Sequence, residues 1–190
     1  MSRQLSRVIL TALVAALTAQ AAVSADWQAD PGNKLEVRAE RSIERMKTSI
    51  ERSLPYFDDA YAIAVWPGIS RIGLGFGGAY GKGVVIEQGR TVGTVGYWQF
   101  SSGIQAGLKS FTMVVFFRTK EALDKLKAGK IQFAVQAGVE FATMGAHGTP
   151  AYDEDVAIIP MTNFGLMGEF AATGVKYNYK PYAKSAATPE

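Results

Sequence analysis

Residues 61–83 read YAIAVWPGISRIGLGFGGAYGKG, and the way this stretch is read decides the fold. A short apolar run, Ala62 to Trp66, is stopped by Pro67, and a tract with glycine at 68, 73, 75, 77, 78, 81 and 83 follows. Each glycine costs a helix about 1 kcal/mol relative to alanine, so this density excludes a helix. Ile72, Leu74 and Phe76 still alternate with a period of two, which predicts a kinked strand. Glycine in such a strand serves positive φ, a bulge, or the close approach of another backbone. Gly77 and Gly78 are expected to need one of these.

Working outward, the remaining segments alternate between strand patterns and two helices. A helix is predicted over about 34–54, with Asn33 as N-cap, Glu36 in a capping-box position and Pro55 closing it. At 100° per residue, Leu35, Ala39, Ile43, Met46, Ile50 and Leu54 share its apolar face. Lys34, Arg38, Arg41, Arg45 and Arg52 form a basic stripe opposite, with Glu36, Glu40, Glu44 and Glu51 between. The like charges at i,i+4 cost a few tenths of a kcal/mol per pair.

Strand patterns cover Ala60–Trp66, Ile72–Phe76, Val84–Glu87, Val92–Phe100, Ile104–Leu108 and Thr112–Phe117, with a turn at Gln88-Gly89-Arg90. A short helix, Lys120 to Ala128, is capped by Thr119 and closed by Gly129. Strands resume at Ile131–Phe141, Val156–Pro160 and Phe164–Thr173. Sequential strands with short turns predict an α+β fold: a strongly curved, mostly antiparallel sheet or barrel with an N-terminal amphipathic helix and a short internal helix. The glycine-rich β core is expected over about residues 60–174.

The N-terminus has the form of a signal peptide over residues 1–25. Arg3 and Arg7 precede the apolar run Val8 to Leu17, and Val23-Ser24-Ala25 is a small-residue cleavage site. The apolar run is shorter than the ~20 residues that span a bilayer. With no cysteine in 190 residues, neither a disulfide nor acylation on cysteine is open to the chain. A periplasmic or secreted location is expected. Residues 26–182 are expected to form one domain, and residues 183–190 a flexible tail.

The formal net charge is +3, and two of those positives leave with the signal. A mature chain near +1 lacks the basic excess of a nucleic-acid-binding domain.

Catalytic and cofactor constellations are thin. Gly73, Gly75 and Gly78 match GxGxxG, but strand residues follow where a dinucleotide fold needs a helix. Gly81-Lys82 lacks the first glycine and the Ser/Thr of a P-loop. His147, the only histidine, has Asp153 and Asp155 downstream but no nucleophile signature. One His and no Cys leave no zinc set, and Asp153-Glu154-Asp155 lacks the alternate spacing of a calcium loop. No enzyme activity, metal or cofactor is expected.

Binding residues are better represented. Lys82 is flanked by Gly81 and Gly83, so little bulk competes with an anion near its ammonium and backbone N–H groups could share the anion. Lys109 is a weaker candidate. The basic helix stripe could dock on an anionic membrane, or be an ordinary solvated face. Trp66, Phe76, Tyr80, Tyr97, Trp98 and Phe100 could line an acyl-chain pocket or fill the core.

The ordered blocks Ala62-Ile63-Ala64-Val65-Trp66-Pro67, Gly75-Phe76-Gly77-Gly78, Tyr80-Gly81-Lys82-Gly83-Val84, Gly103-Ile104-Gln105-Ala106-Gly107, Met113–Phe117, Thr119-Lys120-Glu121-Ala122-Leu123, Gly129-Lys130 and Gly165-Leu166-Met167-Gly168 resemble the SYLF domain family. The resemblance spans roughly Leu54 to Gly174. It implies a lipid-binding domain, here an exported bacterial member that binds anionic phospholipid at an envelope membrane. Eukaryotic members bind phosphoinositides through an N-terminal amphipathic helix, and some bind actin. An envelope scaffold or protein-interaction module without a lipid ligand is the alternative.

Overall fold

The computed structural model describes residues 27–129 and 155–182. The expected signal peptide, the tail, the strand pattern Ile131–Phe141 and the residues His147, Asp153 and Glu154 lie outside them.

The N-terminal helix, α1, runs Lys34–Ser49 and is shorter than its sequence pattern. The Asn33 side chain caps it by accepting from the N–H groups of Leu35 and Glu36. Glu36 is held too: it accepts from the Asp30 N–H and from Asn33 Nδ2, where a capping box would return to the N-cap N–H. The helix breaks at Ile50 (φ −134, ψ 76). A 3₁₀ turn, Glu51–Ser53, then leads into a second helix, α2, Leu54–Asp59. Pro55 therefore begins a helix where it was expected to end one, since its missing N–H costs nothing in a first turn. Leu54, placed by periodicity on the apolar face, is exposed. Lys120–Lys127 forms α3, as expected; Thr119 Oγ1 accepts from the Ala122 N–H, and Gly129 takes φ +66 just after it.

Instead of many short strands, the described sheet has three very long ones: β1 Ala62–Glu87, β2 Arg90–Phe117 and β3 Val156–Pro181. They form an antiparallel meander in the order β1-β2-β3. The glycines do not end the ladder, because a glycine in a strand still donates and accepts its backbone bonds. They bend it, with register shifts at Trp66/Ile69, Leu74/Phe76 and Val85/Ile86. The turn between β1 and β2 falls on Gln88 and Gly89, both with positive φ, which is the twist a two-residue hairpin requires.

The curvature is large. A straight strand would place Val65 and Gly83 about 60 Å apart at ~3.3 Å per residue. Yet a Cβ built on Gly83 would lie 2.5 Å from the Val65 carbonyl oxygen and 2.9 Å from Trp66 Cγ. A Cβ on Gly81 would similarly lie 3.2 Å from Ile69 Cα and from the Gly68 carbonyl oxygen. The two arms of β1 thus curl back onto each other. Of the other described strands, β1 ladders with β2 only. Among the described residues the sheet is not closed, and the barrel alternative is corrected to an open, strongly curved antiparallel sheet.

Curling divides the apolar residues between two cores. Trp66, Tyr97 and Tyr177 meet on the inner face, with ring centroids 5.7–6.5 Å apart, and α3 adds Ala122, Leu123 and Leu126. On the outer face, Ile63, Val65, Val84, Ile86, Val114 and Phe116 pack under α1 and α2 through Ala39, Ile43, Met46 and Phe57. Among the described residues the helices cover one end of the outer face and leave Ile72, Leu74, Phe76 and Phe100 exposed.

Candidate functional site: a basic cavity beside a bare sheet face

The close contact between the two arms of β1 builds a cavity. It measures about 430 Å³ and is lined by Lys34, Leu35 and Arg38 of α1, by Gly68 and Ser70 of the first arm, and by Tyr80, Gly81 and Lys82 of the second. Lys82 is brought there because the strand leaves the contact at Ile69 and returns to it at Gly81. Lys34 is there because Asn33 caps α1 at that point. Arg38, one turn on, is an i+4 neighbour on the same face. Its Nη2 lies 2.8 Å from where a Cβ of Gly68 would stand, so glycine at 68 lets the guanidinium rest against the strand.

Among the described residues the lining carries three cations and no carboxylate. The nearby acids on α1 are occupied elsewhere: Glu36 accepts from Asp30 N–H and Asn33 Nδ2, and Glu40 accepts from the Ala29 N–H. Three positive groups around one open volume repel one another, and an anion entering that volume relieves the repulsion. Ser70 and Tyr80 add hydroxyl groups to the same wall.

The predicted site residues therefore divide. Lys34, Arg38 and Lys82, separated in sequence, converge. Arg45 continues the basic edge of α1 across the sheet and donates through Nη2 to Asn163 Oδ1 on β3. Asn163 Oδ1 also accepts from Thr112 Oγ1 at 3.1 Å, which ties this end of the edge to β2. Arg41 is exposed on the same helix between them. Arg52 is separated from the stripe, because the helix ends before it. Lys109 is half-buried, with its ammonium 5.8 Å from the Phe111 ring centroid, and burial lowers its pKa. It does not line the cavity.

The glycine tract is corrected in part. Gly75 has φ +74, as a bulge requires. Gly81 and Gly83 serve close approach instead. Gly78 has neither role: its φ is not positive, and a Cβ there would meet only the Gln99 carbonyl oxygen, at 3.4 Å. Gly73 and Gly77 pair with Gly107 and Ser101 within the ladder, without positive φ.

The aromatic group also divides. Trp66 and Tyr97 are buried in the inner core, whereas Phe76, Tyr80, Trp98 and Phe100 are exposed. Ile72, Leu74, Phe76 and Tyr80 all lie on even positions of β1, on its outer face beyond the helices. Directly opposite on β2 stand Leu108 against Ile72, Phe100 against Gly78, and Trp98 against Tyr80. Opposite pairs share a face, and the Tyr80 and Trp98 rings are 4.5 Å apart. Phe164 of β3, opposite Ser110, extends the patch. Period-two alternation exposes the shared face of Ile72, Leu74 and Phe76 to a sequence reader. Whether that face is inside or outside depends on where the helices end.

Among the described residues, no helix is long and apolar enough to cross a membrane, a statement that says nothing of strands. No protein family, curated protein or solved structure matches the chain.

Proposed function

We propose that this protein binds the headgroup of an anionic phospholipid, as the resemblance to the SYLF family implies, with the phosphate held by Lys82, Lys34 and Arg38. The observation that carries this reading is the convergence of three cations, with no carboxylate among the described lining residues, on one cavity of about 430 Å³. Lysine meets phosphate as a point charge and arginine as a two-pronged fork, so the set can hold more than one of the charged, non-bridging phosphate oxygens. The role is binding rather than catalysis, and it needs no metal or cofactor. In an exported protein it would act at an envelope membrane.

The test is a titration with short-chain phosphatidic acid below its micellar concentration, comparing wild type with Lys82→Met. Methionine keeps most of the aliphatic stem, so the melting temperature should hold. Loss of a charged hydrogen bond costs about 1.5–3 kcal/mol, which weakens binding roughly 10- to 150-fold. Equal dissociation constants would remove Lys82 from the headgroup site. An envelope scaffold without a lipid ligand predicts that neither protein binds.

A further inference from the structure

The cavity does not stand alone: it opens at the foot of an apolar sheet face that nothing described covers. On that face Leu74 is 84% exposed, Phe76 69%, Phe100 67% and Ile72 64%. With Tyr80, Trp98, Leu108 and Phe164, and at roughly 200 Å² per large side chain, on the order of 1,000 Å² of apolar surface meets water. The largest patch on an ordinary monomer is about 300–600 Å². Burying such side chains is favourable in proportion to the apolar area removed from water, so the face has a free-energy reason to be covered.

Its borders indicate by what. The cationic edge of α1, from Lys34 through Arg38 to Arg45, runs along one side, from Gly68 on β1 to Asn163 on β3. On the same border, where Lys82 joins Lys34 and Arg38 at the cavity, Tyr80 and Trp98 pair with their rings tilted, and Lys176 lies directly opposite Trp98. Cations and amphipathic aromatic rings at the rim, with aliphatic and phenyl side chains beyond them, match the layers of an anionic bilayer surface: phosphates, then interface, then acyl chains. A protein partner would be met by any apolar patch with any rim. Among the described residues the helix-and-cavity border carries Lys34, Arg38, Arg45, Lys82 and Lys176, and on a chain of small net charge such a cationic border fits an anionic surface.

We propose that the outer face around Leu74, Phe76 and Phe100 inserts into the acyl boundary of an anionic membrane, while the basic cavity and edge sit at the phosphate level. Between Ser70 and Tyr80, which line the cavity, β1 presents Ile72, Leu74 and Phe76 already exposed, so these side chains can enter the leaflet without leaving a core. The proposal rests on the headgroup reading above and adds the depth and direction of docking.

The experiment uses the full chain with vesicles of phosphatidylcholine and phosphatidylglycerol whose acyl chains carry bromine. Trp98 should be quenched on binding, with Trp98→Phe identifying its share of the signal, since Trp66 is fully buried and Trp27 nearly so. Leu74→Asp and, separately, Phe100→Asp should weaken vesicle binding at least tenfold. Both should bind soluble short-chain phosphatidic acid as wild type does and melt at the same temperature, because both positions are open to solvent. Unchanged vesicle binding by Leu74→Asp and Phe100→Asp would overturn insertion while leaving the headgroup site intact. So would a wild-type dimer that Leu74→Asp converts to a monomer with undiminished vesicle binding, because the face would then belong to a second copy. Wild type that binds vesicles but not the soluble lipid would retain insertion and remove the headgroup reading.

Discussion

Replacing Gly83 with alanine tests the feature on which the cavity depends, the contact between the two arms of β1. The added methyl would lie 2.5 Å from the Val65 carbonyl oxygen, 2.9 Å from Trp66 Cγ and 3.0 Å from Trp66 Cδ1, where ordinary contact begins at 3.4 Å. The arms would have to part by roughly 1 Å to restore ordinary packing. Neither neighbour yields easily. Val65 and Trp66 are fully buried, and both are locked in register to β2 at Val114 and Met113. Overpacking of a tight core costs about 1–3 kcal/mol, and a clash with backbone and an indole ring belongs at the upper end. The stiffer unfolded chain offsets about 0.4–1 kcal/mol, since Gly83 does not use positive φ. A net loss of roughly 2 kcal/mol follows, which in a domain of this size lowers the melting temperature by about 4–8 °C. Circular-dichroism melts and urea titrations measure it, with Gly78→Ala as the matched control, since its Cβ has room. If Gly83→Ala melted within about 1 °C of wild type, the arms would not be in contact, and the convergence of Lys34, Arg38 and Lys82 would lose its basis.

Further outcomes follow from the helix charges and from the Glu87 cluster. Arg38→Glu should weaken sedimentation with phosphatidylglycerol vesicles about 30-fold, because each charge near an anionic surface contributes about 1 kcal/mol and reversal counts twice; Arg52→Glu should change it little, and equal effects would mean that the helix acts as an undivided stripe. Glu87 accepts from Lys127 Nζ and Tyr61 Oη, both at 2.7 Å; burial raises its pKa, but these bonds and the lysine charge outweigh it and leave it below the ordinary carboxylate value. A depressed carboxylate pKa contributes stability that is present above the unfolded-state value and is lost as pH falls through the folded one. Glu87→Gln should therefore lower the melting temperature at neutral pH and narrow the gap to wild type under acid. In the same variant the Tyr61 phenol, held up to about 12 chiefly by its hydrogen bond to Glu87, should titrate lower by absorbance at 295 nm. A gap that persisted unchanged below pH 3 would dissociate Glu87 from this pH dependence.

The sequence by itself determined what is local. Alternation at Ile72, Leu74 and Phe76 marks a strand, Gln88-Gly89 a tight turn, Thr119 and Gly129 the ends of a helix, and Asn33 the start of another. In each case neighbouring residues supply both the signal and its physical cause. The α+β class follows from summing these signals. Tertiary structure decided the rest. Whether glycines end a strand or bend it depends on a partner strand to carry the ladder, so the expected short strands merged into three. Gly81 and Gly83 are required by Ile69 and Val65, whose nearness comes from curvature accumulated along the whole meander. Lys82 joins Lys34 and Arg38 for the same reason, and no spacing rule links a strand lysine to a helix so far upstream. Phe76, Tyr80, Trp98 and Phe100 have the composition of a core, and they stand in solvent because α1 ends at Ser49 and covers only part of the outer face. Residue type sets the free energy that burial would return, and the reach of the neighbouring elements decides whether burial happens within one chain.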